Sequence, residues 1–225
     1  MALLYAYPEA AKEKDGDGML PLHYAVSIGA SEAVVAALQQ AYPEAAKEKG
    51  WDEKLLLQWA FYETYYKAAK VEGESKEAGA KVIYEGRKMV VSRGVDSDGD
   101  LKLKPAVNED VILALLYAYP EAAKEKDGDG MLPLHYAVSI GASEAVVAAL
   151  QQAYPEAAKE RDVHGRLPLH CAVEKGASEA VVLALQQAYP EAAKEKDGNG
   201  RLPLHCAVEK GASEAVVLAL QQAYP

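Results

Sequence analysis

The string AYPEAAKE begins at Ala6, Ala41, Ala118, Ala153 and Ala188, and AYP returns at Ala223. The spacings are 35, 77, 35, 35 and 35 residues. A fixed period of this length marks a repeat architecture, in which one supersecondary unit stacks on copies of itself. The long spacing is one period plus 42 residues, so one repeat carries an insertion. Phased at the turn before Leu-Pro-Leu-His, the chain reads as a single array. It holds a partial repeat at 1–14, repeats at 15–49, 50–126, 127–161 and 162–196, and a shorter one at 197–225. Residues 2–48 match 114–160 without a difference, and the next pair is Lys49 against Arg161. The fourth and fifth repeats differ over 162–190 and 197–225 only at Val163/Gly198 and His164/Asn199.

The third repeat shows what one unit must be. Asp-Gly-Asp-Gly is turn chemistry, with glycines free to take positive φ. Pro133 suits the first position of a helix, where a missing N–H costs nothing. Leu134, Ala137 and Val138 recur at helical spacing. Gly141 ends that short helix. Ser143 is an N-cap for a second helix, and Glu144 sits at its positive end. Val146, Leu150 and Ala153 form the buried stripe of this helix, with Val147 beside it. Pro155 stops it, and Pro155–Lys159 is expected to add one loose turn. A helix pair this small cannot bury its apolar face alone, so the units must stack into a solenoid. No strand-length alternation is read here, and no β-sheet is expected beyond short turn fingers.

Asp, two residues, Gly, then Pro-Leu-His-x-Ala stands at Asp15–Ala25, Asp127–Ala137, Asp162–Ala172 and Asp197–Ala207. With the Gly link and the Val-Val…Leu helix that follow, the pattern resembles the ankyrin repeat. The resemblance covers nearly all of 1–63 and 105–225. Three departures stand out. The family's Thr before Pro is Leu here (Leu20, Leu132, Leu167, Leu202), which loses a hydroxyl cap. Its Gly-His after the first helix is Gly-Ala. The period is 35 residues rather than about 33. The resemblance implies an all-α, ankyrin-like helix-turn-helix solenoid. It also implies that His23, His135, His170 and His205 hydrogen-bond within and between repeats.

The second repeat keeps the register and loses the motif: Leu55–Ala60 reads LLLQWA where LPLHYA is due, with Leu56 for Pro and Gln58 for His. The pattern resumes from about Pro105, so the surplus falls at 64–104, between the two helices of this repeat. Leu55, Trp59, Tyr62 and Tyr66 share one helical face, which extends the first helix. Ser75 is expected to cap a second helix over 76–92, despite Gly79 and Gly86, and DSDGD with LKLKP reads as linker. The insertion is therefore expected to be helical. Residues 51–66 hold both tryptophans, the only phenylalanine and Tyr62, Tyr65 and Tyr66. Such a cluster is either core between the helices of the insert or an exposed interface.

Net charge is −10, and residues 50–105 hold 10 basic and 10 acidic side chains, so the repeats carry the whole imbalance. This disfavours nucleic acid and anionic membrane as partners. No apolar run approaches the roughly 20 residues of a membrane span, and the N-terminal stretch lacks the basic flank of a signal peptide. An intracellular, cytoplasmic location is expected. Cys171 and Cys206 sit at equivalent positions of adjacent repeats, about a helix diameter apart, too far for a disulfide. The same separation argues against metal binding by the repeated histidines. Asp96, Asp98 and Asp100 hint at a calcium loop, but Leu101 and Val107 stand where Gly and Glu are required. No catalytic or nucleotide motif is present, and no cofactor or metal is expected. The tyrosines at 7, 42, 119, 154, 189 and 224 read as packing residues at the ends of the second helices.

The function expected is a non-catalytic protein-interaction scaffold. The resemblance implies recognition through the turn tips and the concave face of the first helices. Candidate tip residues are Asp17, Met19, Asp129, Met131, Val163, His164, Arg166, Asn199 and Arg201. A second reading puts recognition in the insert, through Trp59, Phe61, Tyr62, Tyr65 and Tyr66. A third is a fragment of a larger array without independent function. Neither end is a polar cap, so exposed apolar surface and self-association are expected.

Overall fold

The computed structural model describes the backbone at 7–50, 54–66, 70–71, 81–84, 87–95, 101–105 and 109–223. Side-chain surroundings are described at 7–50, 54–61 and 109–223. The chain divides into two compact units, Met1–Ala118 and Tyr119–Pro225.

The C-terminal unit holds three helix pairs. They are α5 (Pro133–Ile140) with α6 (Glu144–Ala153), α7 (Pro168–Glu174) with α8 (Glu179–Ala188), and α9 (Pro203–Glu209) with α10 (Glu214–Gln222). Each first helix opens on Pro. It ends one or two residues before a glycine at φ 64 to 71° (Gly141, Gly176, Gly211), a conformation an L side chain resists. Each second helix is capped by serine: Ser143, Ser178 and Ser213 accept from Val146, Val181 and Val216 N–H at 3.3–3.4 Å. After the second helix, PEAAK forms a 3₁₀ turn (Pro120–Lys124, Pro155–Lys159, Pro190–Lys194) whose two alanines are buried. First helices pack on first helices and second on second: α5 on α7 on α9, and α6 on α8 on α10. Most of the expected stripe is core, with Val146, Leu150, Val182, Leu185, Val216 and Leu220 buried, but Ala153 at its end is only half-buried. Truncating any one leucine to Ala would cost roughly 2–5 kcal/mol.

The N-terminal unit begins with the same pair, α1 (Pro21–Ser27) and α2 (Glu32–Ala41), flanked by PEAAK turns at Pro8–Lys12 and Pro43–Lys47. The second repeat supplies α3 (Leu56–Tyr66) and α4 (Glu109–Ala118). α3 packs on α1, and α4 packs on both α2 and α3. The insertion therefore falls between two helices that still form a repeat. The all-α helix-turn-helix solenoid inferred from the repeats is what the repeats form.

The insert corrects one expectation. It opens with helix as α3 runs on to Tyr66, but where a second helix was expected over 76–92 the described residues, 81–84 and 87–92, are strand. Four strands follow: β1 (Lys70–Val71), β2 (Lys81–Tyr84), β3 (Arg87–Val95) and β4 (Leu101–Pro105). They make an antiparallel sheet in the order β1-β4-β3-β2. β2 and β3 pair antiparallel, with Tyr84 opposite Arg87. β3 pairs with β4 from Met89–Pro105 to Val95–Leu101, with a register shift between Val91 and Val95. The reasons lie in the residues. Val82-Ile83 and Val90-Val91 are β-branched pairs that suit a pleated ladder, and Gly79 and Gly86 disfavour helix. Leu101-Lys102-Leu103-Lys104, read as linker, alternates with period two. β4 packs against α3. Ser75, DSDGD at 96–100, Met1–Leu4 and Tyr224 lie outside the described residues.

Candidate functional site

Each tip is built by one aspartate. Asp162 Oδ1 accepts from His164 N–H (2.9 Å) and Arg166 N–H (2.8 Å). Its own N–H donates to the Arg166 carbonyl at 3.0 Å. Asp197 clamps Asn199 and Arg201 the same way, Asp127 clamps Asp129 and Met131, and Asp15 clamps Asp17 and Met19. This local side-chain to backbone bonding fixes the turn. Gly18, Gly130, Gly165 and Gly200 take the positive φ it needs.

The second oxygen of that aspartate divides the repeats into two kinds. Tyr24 OH donates to Asp15 Oδ2, and Tyr136 OH to Asp127 Oδ2. In the fourth and fifth repeats a cysteine replaces the tyrosine, and an arginine from the tip takes the same oxygen. Arg166 Nε donates to Asp162 Oδ2 at 2.7 Å, and Arg201 Nε to Asp197 Oδ2 at 3.0 Å. The free arm of each guanidinium reaches the first helix, at Glu174 (3.2 Å) and Glu209 (3.3 Å). Asp162 and Asp197 are buried, so the ion pair satisfies a charge withdrawn from water.

Adjacent tips are joined through the backbone. Val163 N–H donates to the Asp129 carbonyl at 3.0 Å, and Gly198 N–H to the His164 carbonyl at 2.8 Å. The contact at 198 leaves no room for a side chain, since a Cβ there would stand 2.5 Å from the His164 carbonyl oxygen. One of the two differences between these repeats is thus steric.

The repeated histidine makes the bond within its own repeat that the resemblance implied, and in His170 also one to the next repeat. Nδ1 of His23, His135, His170 and His205 accepts from the N–H of Leu20, Leu132, Leu167 and Leu202 at 3.0–3.2 Å. The proton therefore sits on Nε2, and in His170 that atom lies 3.2 Å from the Arg201 carbonyl of the next repeat. Burial pushes the imidazole of His135 down to about 4 and that of His170 below its ordinary value. In the second repeat Gln58 does the same work: its Oε1 accepts from Leu55 N–H at 3.0 Å. Burial pushes the Cys171 thiol up to about 12, which makes it inert; both Cys171 and Cys206 are free and buried.

The candidate residues are not all at the surface. Asp17, Asp129, His164 and Asn199 are exposed, and Val163 is 61% exposed. Arg166 and Arg201 are half-buried in the ion pairs just described. Met19 and Met131 are buried at 4%, Trp59 at 8% and Phe61 at 0%, so these four are core and not partner-facing. The reason is local. Trp59 meets His23 edge-to-face with ring centroids 6.4 Å apart. A Cβ on Gly50 would touch Met19 Sδ, His23 and Trp59 within 3.5 Å. Trp59 thus lies in the seam between the first two repeats. Tyr62, Tyr65 and Tyr66 lie in α3, with their side chains outside the described residues.

A further network is not visible in the motif. Tyr42, Tyr154 and Tyr189 donate to Glu48, Glu160 and Glu195 at 3.2–3.4 Å. The same carboxylates pair with Lys14, Lys126 and Arg161 of the preceding repeat at 2.6–2.8 Å. The constant Tyr-to-Glu spacing of six was its only signal. These tyrosines are hydrogen-bonded couplers between repeats as well as packing residues.

Tandem first and second helices, an aspartate-clamped tip and a histidine that bonds to the next repeat define a helix-turn-helix repeat protein. Residues 105–194 match the family model for ankyrin repeats, in three copies. Residues 2–48 repeat 114–160 without a difference, so the same assignment holds for them. Residues 105–194 are ankyrin repeats, a family whose members are generally protein–protein interaction modules and typically non-catalytic. No curated protein matches the chain. No helix among the described residues is long and apolar enough to cross a membrane.

Proposed function

We propose that the chain is a non-catalytic scaffold that binds a protein partner along the tips and adjoining first helices of the C-terminal unit. One observation carries this reading. The three tips there are clamped by aspartate and bonded to one another through the backbone, which makes a preorganised ledge. Val163, His164 and Asn199 stand exposed on it, beside the Arg166–Glu174 and Arg201–Glu209 pairs. Ordering costs at such a surface are low before a partner arrives. The buried free thiols of Cys171 and Cys206 fit a reducing compartment. Exposed Tyr24, Ile28 and Val208 support self-association as an accompanying property.

The test is selection of binders to the full chain from a peptide or protein display library, followed by V163E with H164A and N199A. Loss of binding by about tenfold or more fits a site at this ledge. Binders that ignore all three changes would place recognition elsewhere.

A further inference from the structure

Asparagine precedes glycine once in the chain, at Asn199-Gly200 in the tip of the fifth repeat, and the other asparagine, Asn108, precedes Glu109. The backbone nitrogen after an asparagine is placed to attack the side-chain amide carbon and close a cyclic imide. Glycine hinders that attack least, because it has no Cβ and its backbone is free to turn.

The fifth tip leaves the reacting atoms accessible. Asn199 is exposed, and among the described residues it is held through its backbone N–H, which donates to Asp197 Oδ1 at 2.9 Å. Gly200 is open as well: a Cβ built there meets nothing within 4 Å. In the third and fourth repeats the following tip stands against the equivalent glycine, with Val163 N 3.2 Å from a Cβ on Gly130 and Gly198 N 2.8 Å from one on Gly165. The same turn also holds the product of the reaction elsewhere in the chain. Asp17 and Asp129 occupy the position of Asn199 in the first and third repeats, exposed and clamped in the same way by Asp15 and Asp127. One bond opposes the attack, since Gly200 N–H donates to the Asp197 carbonyl at 2.9 Å. Opening a single exposed turn bond slows a reaction by about tenfold, which delays the attack without preventing it.

We propose that Asn199 is a self-modification site, at which the fifth tip deamidates through a cyclic imide and adds a negative charge to the tip ledge. The Gly200 nitrogen gives up its proton and bonds to Asn199 Cγ, the Cγ–Nδ2 bond breaks, and Nδ2 leaves as ammonia. Water then opens the imide, at Cγ to give aspartate or at the Asn199 backbone carbonyl carbon to give isoaspartate. The net change is amide plus water to carboxylate plus ammonium, with no redox partner. The chemistry stands apart from the ledge reading, and only the effect of the new charge on a partner rests on it.

The test is incubation of the full chain at body temperature and mildly alkaline pH. Peptide mapping by mass spectrometry then reads the exchange of NH2 for OH at each asparagine. Asn199 is expected to convert about tenfold or more faster than Asn108. N199Q, whose longer side chain cyclises slowly, should stay unmodified at that position. N199D should keep the urea midpoint of the parent, because the first and third tips already carry aspartate. The proposal is overturned if Asn199 stays intact in the folded chain, whether or not it converts in urea. It is also overturned if Asn108 converts as fast, if N199Q is modified equally, or if N199D is destabilised. A ledge binder with equal affinity for the parent and N199D would instead count against the ledge reading, with conversion at Asn199 still supporting the site.

Discussion

At the scale of single residues, the recurring histidine caps the first helix of its own repeat, and where it is buried it also responds to pH. His135 is fully buried and its imidazole titrates near 4, below the ordinary value of about 6.5. The folded state therefore prefers the neutral ring. Between those two values the unfolded chain binds more protons, so the contribution of His135 is complete above about 6.5 and is lost as pH falls toward 4. The linkage relation bounds it at about 3 kcal/mol. Gln58 shows that an amide oxygen makes the same cap. H135Q should stay folded at pH 7 and lose less stability between pH 7 and 4.5 than the parent. Urea midpoints at the two pH values check this, and parallel acid losses would contradict it. His135 was legible from the sequence, because it sits in a four-residue motif. Gln58 was not, because its role depends on an acceptor's position and not on its residue type.

Within an element, the Tyr and Arg solutions to the tip aspartate are interchangeable parts. A tyrosine reaches Asp15 or Asp127 from the first helix, nine residues away, while an arginine reaches Asp162 or Asp197 from the tip, four residues away. Removing the arginine alone strands a buried carboxylate. R166M should cost on the order of 3–5 kcal/mol. Adding C171Y, which recreates the arrangement of the third repeat, should restore most of that loss. A double-mutant cycle read by chemical denaturation measures the coupling, and strictly additive losses would refute the exchange. Helix pairs were readable because their punctuation is local: Pro at the start, Gly at the link, Ser before the second helix. The sheet was not, because its pairing partners lie far apart in sequence and its clearest alternation, Leu101 to Lys104, is only four residues long. Trp59 and Phe61 were ambiguous for a related reason. Periodicity places them on a helix but does not say which neighbour covers it, and for Trp59 that neighbour is His23 of the preceding repeat.

For the molecule as a whole, coupling between repeats is short-ranged. It runs through stacked helices, backbone bonds between tips and the Tyr–Glu–cation triads. Arg161 is the residue that separates the third repeat from the first, where Lys49 stands. Its guanidinium reaches both Glu195 (2.6 Å) and the Lys196 carbonyl (2.8 Å), a fork an ammonium cannot reproduce. Repeat proteins of this kind lose simple two-state behaviour as arrays lengthen. Equilibrium unfolding should show more than one transition, with hydrogen exchange slowest in α5 to α8, where repeats are contiguous, and faster in α1 and α2. Uniform protection across both units would contradict this.

The placement of the sheet has a consequence for how such a chain can change. α3 and α4 pack on each other and on the first helix pair although their repeat is 42 residues longer than one period. The link between a repeat's two helices carries no stacking information, only connectivity. It is a socket: a foreign segment can be spliced there, varied or exchanged while the faces on either side keep the repeats in order.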